Sequence, residues 1–169
     1  RGRALQPALL ADGDRFATGT LASLKVIEGE FARFQGRPAE AESLIREALE
    51  MFRGLGFKAG VSNALSRLSN VYGSQGRLDE EARTLTETLA LKREAGDREG
   101  TAVVLGNLGT NRQRRGRTVE ALELFKEALA IHRDTGGRPG IGIQLGNIGA
   151  ILTLQGRWDE SLAAYAESL

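Results

Sequence analysis

The side chains of this sequence best suited to binding chemistry are the amides of Asn107 and Asn147, which lie 40 residues apart. An amide offers both a hydrogen-bond donor and an acceptor. A row of amides on one face can therefore hold the main chain of an extended peptide without reading its sequence. Hydrogen bonding within the protein itself is the alternative use of these two side chains.

Two arginines, Arg67 and Arg114, are predicted to point to the same side as these amides. A guanidinium group can bind a carboxylate through two parallel hydrogen bonds. These arginines are therefore candidates for selecting an acidic residue in a ligand, with simple solvation as the alternative.

Catalytic chemistry is poorly supported. His132 is the only histidine, and no acid or nucleophile stands at catalytic spacing from it, so we expect an ordinary surface residue. No carboxylate is isolated in an apolar run, where burial would favour a proton-donating acid. The glycines between Gly140 and Gly146 lack a preceding strand and the spacing of a nucleotide loop. We expect no enzymatic activity, no catalytic residue, no cofactor and no metal site.

Composition excludes several kinds of partner. The 169 residues include 23 basic and 22 acidic side chains, a net charge of +1, which gives no field to attract nucleic acid or anionic lipid. A small basic cluster (Arg112, Arg114, Arg115, Arg117) has no interleaved aromatic residues. No apolar run approaches the length of a membrane span. With no cysteine in the chain, a reducing compartment is favoured, and we expect the cytoplasm.

A short glycine motif recurs every 40 residues and organises the chain. Its four copies are Gln35-Gly36-Arg37, Gln75-Gly76-Arg77, Arg115-Gly116-Arg117 and Gln155-Gly156-Arg157. A second glycine column keeps the same interval, with Gly56, Gly96 and Gly136, each followed four residues later by Gly60, Gly100 and Gly140. Two columns in register indicate a repeat protein.

Each repeat is predicted to contain two helices. The first helices cover about residues 20–35, 59–75, 99–115 and 139–155, and the second cover about 38–53, 78–94, 118–134 and 158 to the end. The first helices should end at the glycine of the motif, where a positive φ is least costly. Pro38 suits the first position of its helix, and Asp97 is a candidate N-cap.

Large and small residues recur at fixed places in the repeats, which predicts that each hairpin packs on its neighbour. The first-helix columns are Leu65/Leu105/Leu145 and Ser69/Gly109/Gly149, and one second-helix column is Ile45/Leu85/Phe125/Tyr165. Lys25 and Glu28 fall in packing columns of the first repeat, so its register is open. The recurring pairs Arg37/Glu40, Arg77/Glu80, Arg117/Glu120 and Arg157/Glu160 are predicted to be structural, favoured by helix dipoles.

The predicted boundaries are a poorly patterned lead-in, residues 1–19, and a repeat domain, residues 20–169. Within the domain the repeats cover about 20–58, 59–98, 99–138 and 139–169. Ala4 to Ala11 fits the end of a preceding helix, with Asp12-Gly13-Asp14 as its exit turn. Because the chain starts with Arg1 and stops at Leu169 inside a helical pattern, we expect a piece of a longer protein.

These columns resemble the tetratricopeptide repeat. The resemblance covers about residues 20–169 and rests on Leu65, Leu68, Ser69, Tyr72, Gly76, Leu85 and Thr88, and on the segment 105–109 with Ala121, Phe125, Ala128 and Leu129. A period of 40 rather than about 34 residues, with the connection Gly96-Asp97-Arg98-Glu99-Gly100, is similar to repeats of kinesin light chains, spindle-orientation adaptors and large bacterial multidomain regulators. The resemblance implies an all-α, right-handed α-solenoid of about four antiparallel helical hairpins.

At about 100° per residue, one side of each first helix is left free by packing and should line the concave surface of such a solenoid. The predicted peptide-binding residues on this side are Asn63, Arg67, Asn70, Val103, Asn107, Thr110, Arg114, Ile143, Asn147 and Leu154. The first repeat offers Ser23, Ile27, Glu30 and Phe34. Peptide-binding tetratricopeptide domains are similar at Asn107 and Asn147, but the lysines of a carboxylate clamp are replaced here by Val103 and Ile143.

The sequence therefore predicts a protein–protein interaction module that binds an extended peptide or partner segment in a concave groove. Its partners would be protein or peptide, with no nucleic acid and no membrane. One alternative is self-association through the end repeats, or an intramolecular regulatory role in a larger bacterial regulator. Another is a sensor for a short peptide or a small molecule.

Overall fold

The computed structural model describes residues 12–168. Within that range the chain folds into eight helices: α1 (Asp12–Phe34), α2 (Pro38–Gly54), α3 (Lys58–Ser74), α4 (Leu78–Glu94), α5 (Arg98–Arg114), α6 (Thr118–Thr135), α7 (Arg138–Leu154) and α8 (Trp158–Glu167). The predicted all-α class is confirmed, and the predicted helix ends lie within a residue or two of those observed from α2 to α7.

Every turn between consecutive helices contains a glycine with positive φ. These glycines are Gly36, Gly56, Gly76, Gly96, Gly116, Gly136 and Gly156. Each turn closes in the same way. After α1, for example, the N–H of Arg37 donates to Ala32 at 2.9 Å and that of Gly36 donates to Arg33 at 3.0 Å. This is the Schellman arrangement, which satisfies the last carbonyls of a helix and needs a left-handed residue. The positive φ predicted for the motif glycines is confirmed.

The chain divides into two compact units, with the boundary between Val71 and Tyr72 inside α3. Unit 1 contains α1, α2 and most of α3. Unit 2 contains the end of α3 and all of α4–α8. In unit 2, α5 packs on α6 and α7 on α8, while α4 contacts α5 and α6 contacts α7.

The two helices of a hairpin pack together where a small residue on the first helix meets a large residue on the second. A methyl group at Gly109 would lie 2.5 Å from the ring of Phe125, and one at Gly149 would lie 3.0 Å from that of Tyr165. Such distances show that the side chain of the second helix already fills the space of the missing Cβ. The helices approach closely at these glycines, as the column of small residues predicts.

The first hairpin keeps the same register, which the sequence left open. Gly29 lies against Ile45, with 2.6 Å between a hypothetical methyl and Ile45 Cγ1. Lys25, which occupies a packing column, instead pairs with Glu47 on α2 at 2.7 Å. The predicted exit turn at Asp12-Gly13-Asp14 is wrong, because these residues form the start of α1. The end of a preceding helix, predicted for Ala4 to Ala11, lies outside the described residues.

The arginine of each motif pairs with the glutamate three residues later, as Arg77 does with Glu80 at 2.9 Å and Arg157 with Glu160 at 2.6 Å. The hydrogen bond from Arg77 holds the pKa of Glu80 below its ordinary value, and Arg157 has the same effect on the pKa of Glu160. The motif glutamine also accepts from the arginine, with 3.0 Å between Gln75 Oε1 and Arg77 Nη1. The recurring charges are therefore structural, as predicted.

Candidate functional site

A groove of about 540 Å³ lies between α1 and α3 in unit 1. We call it the α1–α3 groove, and its lining residues are Ser23, Val26, Ile27, Glu30, Phe52, Phe57, Ala59, Gly60, Asn63 and Arg67. The sequence predicted five of these for a free helix face, namely Ser23, Ile27, Glu30, Asn63 and Arg67. The structure brings these five together, while Phe34 and Asn70 are exposed and do not line the groove.

The floor of the groove is aromatic. The rings of Phe52 and Phe57 meet edge to face, with 5.7 Å between their centroids. Gly60 leaves them room, because a methyl there would lie 2.4 Å from Phe52 and 2.7 Å from Phe57. Phe52 and Phe57 occupy the positions of a Schellman turn where an apolar contact is common. That spacing was the available sequence signal, although neither residue was predicted to line a site.

One end of the groove carries an ionic cluster. Glu30 is mostly buried and accepts from Arg33 at 3.2 Å and from Arg67 at 3.4 Å. Since two guanidinium groups face one carboxylate, the cluster carries a formal charge of +1. Arg67 is the more exposed of the two arginines, so it is the cation that a ligand in the groove would meet.

A second free face lies in unit 2, on α5 and α7. Val103, Asn107, Thr110 and Arg114 are exposed along α5, and Ile143 and Leu154 are exposed on α7, where Asn147 is half-buried. The two helices touch where Gly106 of α5 meets Gln144 of α7, since a methyl at Gly106 would lie 2.7 Å from Gln144 Nε2. Gln144 is itself buried.

The amides of Asn107 and Asn147 have no hydrogen-bond partner within the described chain. Their donors and acceptors are therefore available, and the alternative that they bond within the protein does not describe them. Bonding within the protein does describe Asn111, a residue that was not predicted from the sequence. Asn111 is fully buried on α5 and donates to the Leu78 carbonyl and to Glu81 Oε2, each at 2.9 Å.

Arg114 has partners inside unit 2. It donates to the Gly73 carbonyl at 2.9 Å and lies 3.3 Å from Glu81. Its neighbours in the basic cluster are also paired, Arg115 with Asp79 at 2.7 Å and Arg117 with Glu120 at 2.6 Å. The fourth, Arg112, lies 3.4 Å from Glu120. These arginines tie helix ends together, which limits their use for nucleic acid or for an acidic ligand.

His132 is not a surface residue, and that prediction is wrong. The residue is 1% exposed, and its side chain lies against Gly140, where a methyl would be 2.4 Å from the ring. Its Nδ1 is 3.2 Å from Glu99 Oε1 without hydrogen-bond geometry. The ring is a packing element between α6 and α7, placed there because residue 140 has no side chain.

No three His, Cys, Asp or Glu side chains within residues 12–168 gather closely enough to hold a metal ion. None of the helices between Asp12 and Glu167 combines the length and the apolar character that crossing a membrane requires.

Solved structures show the same fold at low sequence identity. BtubC (BKLC) from P. vanneervenii superimposes with a TM-score of 0.81 at 22% identity, covering 96% of this chain and 66% of that one. Aspartyl phosphate phosphatase F from Bacillus subtilis gives a TM-score of 0.84 at 12% identity, with coverage of 89% and 40%. A putative kinesin light chain of Podosopora anserina, with nearly identical TPR-like repeats, gives 0.74 at 17% identity, with coverage of 89% and 74%.

These likenesses establish the fold, an α-solenoid of helical hairpins. The chain spans about 66% of BtubC and 40% of the phosphatase, so it corresponds to part of each. A comparison with curated protein sequences gave no match. The tetratricopeptide repeat model matches residues 20–94 and 84–134, which is more than half of the sequence, and the chain therefore belongs to the tetratricopeptide repeat family.

Proposed function

We propose that this chain is a non-enzymatic protein-interaction module whose first helices bind an extended segment of a partner protein. The observation that carries the proposal is a pair of amides, Asn107 and Asn147, at equivalent positions of successive first helices, which find no hydrogen-bond partner among residues 12–168. Membership of a repeat family built from preformed binding surfaces supports it at the level of fold.

The chemistry of the unit 2 face suits a peptide main chain. An extended peptide has free N–H and C=O groups, and an amide side chain can serve either of them. Val103 and Ile143, one helical turn before the asparagines, are exposed and apolar, so they can contact ligand side chains while the amides hold the backbone. Because the helices already present this face, little ordering is required on binding.

The setting that we propose is a larger bacterial regulator in the cytoplasm. The fold likeness to a Bacillus subtilis phosphatase is compatible with such a setting. The 40-residue period and the Gln-Gly-Arg motifs of this chain favour the proposal.

Selection from a library of fluorescent hexapeptides by the 169-residue chain tests the main proposal. Asn107→Ala combined with Asn147→Ala should weaken a selected peptide by about tenfold or more. Gln113→Ala, which removes a half-buried amide from α5, is the control and should leave binding unchanged. Full affinity in the double variant, with an unchanged circular dichroism spectrum, would rule out the amide mechanism.

Self-association through the ends is a second candidate, favoured by the surface of α8. Leu162 and Tyr165 are exposed there, although their counterparts Leu122 and Phe125 in α6 are buried in a cluster with Leu145 of α7. A further helix, including one from a second copy, would cover this surface. Sedimentation equilibrium of the wild type and of Leu162→Asp tests it, because a concentration-dependent oligomer should disappear in the variant.

A further inference from the structure

The turns that join successive hairpins carry three chemically different pairs at equivalent positions. In unit 2, Lys92 and Asp97 form an ion pair at 2.6 Å. In the next turn of unit 2, the residues at the equivalent positions are His132, which is buried, and Gly137. In unit 1 the pair is Phe52 and Phe57, and Phe57 remains 52% exposed. Among these turns, the one in unit 1 therefore places an aromatic surface in an open groove.

The α1–α3 groove has the size and lining of a site for a large apolar side chain. Its volume of about 540 Å³ falls within the usual range of ligand sites, roughly 300–1,000 Å³. Phe52 and Phe57 form the floor, and Ile27 of α1, 64% exposed, faces the groove from one wall. Gly60 lets the two rings lie directly against the backbone of α3. Apolar side chains gathered in this way are typical of interaction sites.

The charge at one end of the groove determines which kind of residue a ligand can carry next to its apolar side chain. Glu30 already accepts from both Arg33 and Arg67, so an incoming cation would have to displace a guanidinium group. An incoming carboxylate would instead meet Arg67, which is held by a single contact of 3.4 Å and is partly exposed. The cluster therefore favours an anion.

We infer that the α1–α3 groove is an anchor site for a partner peptide in which a large apolar residue stands next to an aspartate or glutamate. The apolar side chain lies against Phe52, Phe57 and Ile27, and the carboxylate binds Arg67. Asn63, exposed on the α3 wall and lining the same groove, supplies an amide for the peptide main chain. This inference rests on the proposed function, since it specifies what the interaction module selects.

The test is a positional-scanning library of fluorescent hexapeptides screened against the intact 169-residue chain. We expect enrichment of an adjacent pair, one residue large and apolar and the other acidic. For the selected peptide, Ile27→Asp should weaken binding by about tenfold or more. Arg67→Glu should change the preferred charged residue from acidic to basic. Val119→Asp on α6, where Val119 is 72% exposed, is the matched control and should bind normally.

The possible failures are distinguishable. If peptides are selected without the apolar and acidic pair, or if Ile27→Asp and Arg67→Glu leave the selection unchanged, the anchor site is wrong and the proposed function stands. If no peptide is selected, both are wrong. If sedimentation shows a wild-type dimer that Ile27→Asp dissociates, the groove holds a second copy, and the inference is overturned.

Discussion

The ring of His132 occupies the space that a side chain at Gly140 would need. A methyl group at position 140 would lie 2.4 Å from two atoms of the imidazole, and His132 as a whole is 1% exposed. Phe52 and Gly60 show the same relationship in unit 1, with the same distance of 2.4 Å. A glycine inside a helix costs helix propensity, and here the cost is offset by the side chain that it admits.

We therefore expect Gly140→Ala to destabilise the chain. Overpacking against a buried ring should cost about 2 kcal/mol, which exceeds the gain in helix propensity of about 1 kcal/mol. Urea unfolding followed by circular dichroism measures the free energy of unfolding.

Gly146→Ala is the matched control on the same helix, because nothing lies within 4 Å of a Cβ there. It should stabilise the chain by about 1 kcal/mol. In a His132→Ala background, Gly140→Ala should also become stabilising. A loss of stability that persists without the imidazole would contradict the packing explanation.

The turn glycines allow a second prediction, in which the effect of backbone conformation is distinguished from steric crowding of an added Cβ. Gly54 and Gly56 both have no atom within 4 Å of a hypothetical Cβ, but Gly56 has a φ of +67°. Gly56→Ala should lower the free energy of unfolding by about 1 kcal/mol, because an L-residue is strained there. Gly54→Ala lacks that strain and should not be destabilising. Equal effects in thermal unfolding would show that the positive φ is unimportant.

The regular features of the fold were predictable because they depend on local conformation. A glycine that must adopt a positive φ recurs wherever the turn recurs, so Gly36 and its equivalents mark the helix ends without any knowledge of packing. The free face of α5 followed from helical periodicity alone. Asn107 and Val103 are exposed on it, as expected.

The roles of Gly60, Gly100 and Gly140 were not predictable in the same way. The partner is Phe52 for Gly60, the pair Asp97 and Lys92 for Gly100, and His132 for Gly140, so no residue type repeats among them. For the same reason the sequence misassigned His132 and missed the aromatic floor of the α1–α3 groove. The partners of Arg67 and Arg114 lie on other helices, and helix periodicity says which side a residue faces but not what it meets there.

The N-cap of α5 gives a prediction about pH. Asp97 accepts from Lys92 Nζ at 2.6 Å and from the Gly100 N–H at 2.8 Å, and these two bonds, the first being the larger cause, lower its pKa. A carboxylate whose pKa is lower in the folded state stabilises the protein above its unfolded pKa of about 3.9. That stabilisation is lost as the pH falls through the folded pKa.

Asp97→Asn tests this, because asparagine is an equally good N-cap but cannot pair with Lys92. Wild type should be more stable than the variant at pH 7, by at most about 1 kcal/mol for a solvent-accessible pair, and the difference should vanish well below pH 3.9. Urea unfolding of both proteins across this pH range measures it. A difference that is independent of pH would exclude the ion pair as its source.

The two kinds of asparagine on α5 should respond oppositely to the same substitution. Asn111→Ala removes the amide that serves the Leu78 carbonyl and the mostly buried Glu81, so it should cost about 2–3 kcal/mol of stability. Asn107→Ala removes no hydrogen bond within the described chain, and alanine is the better helix former. Its free energy of unfolding should therefore stay the same or rise by a few tenths, about 0.5 kcal/mol. Urea unfolding of the two variants in parallel shows whether each amide supports the fold. A marked loss of stability in Asn107→Ala would mean that this side chain supports the fold and is not free for a ligand.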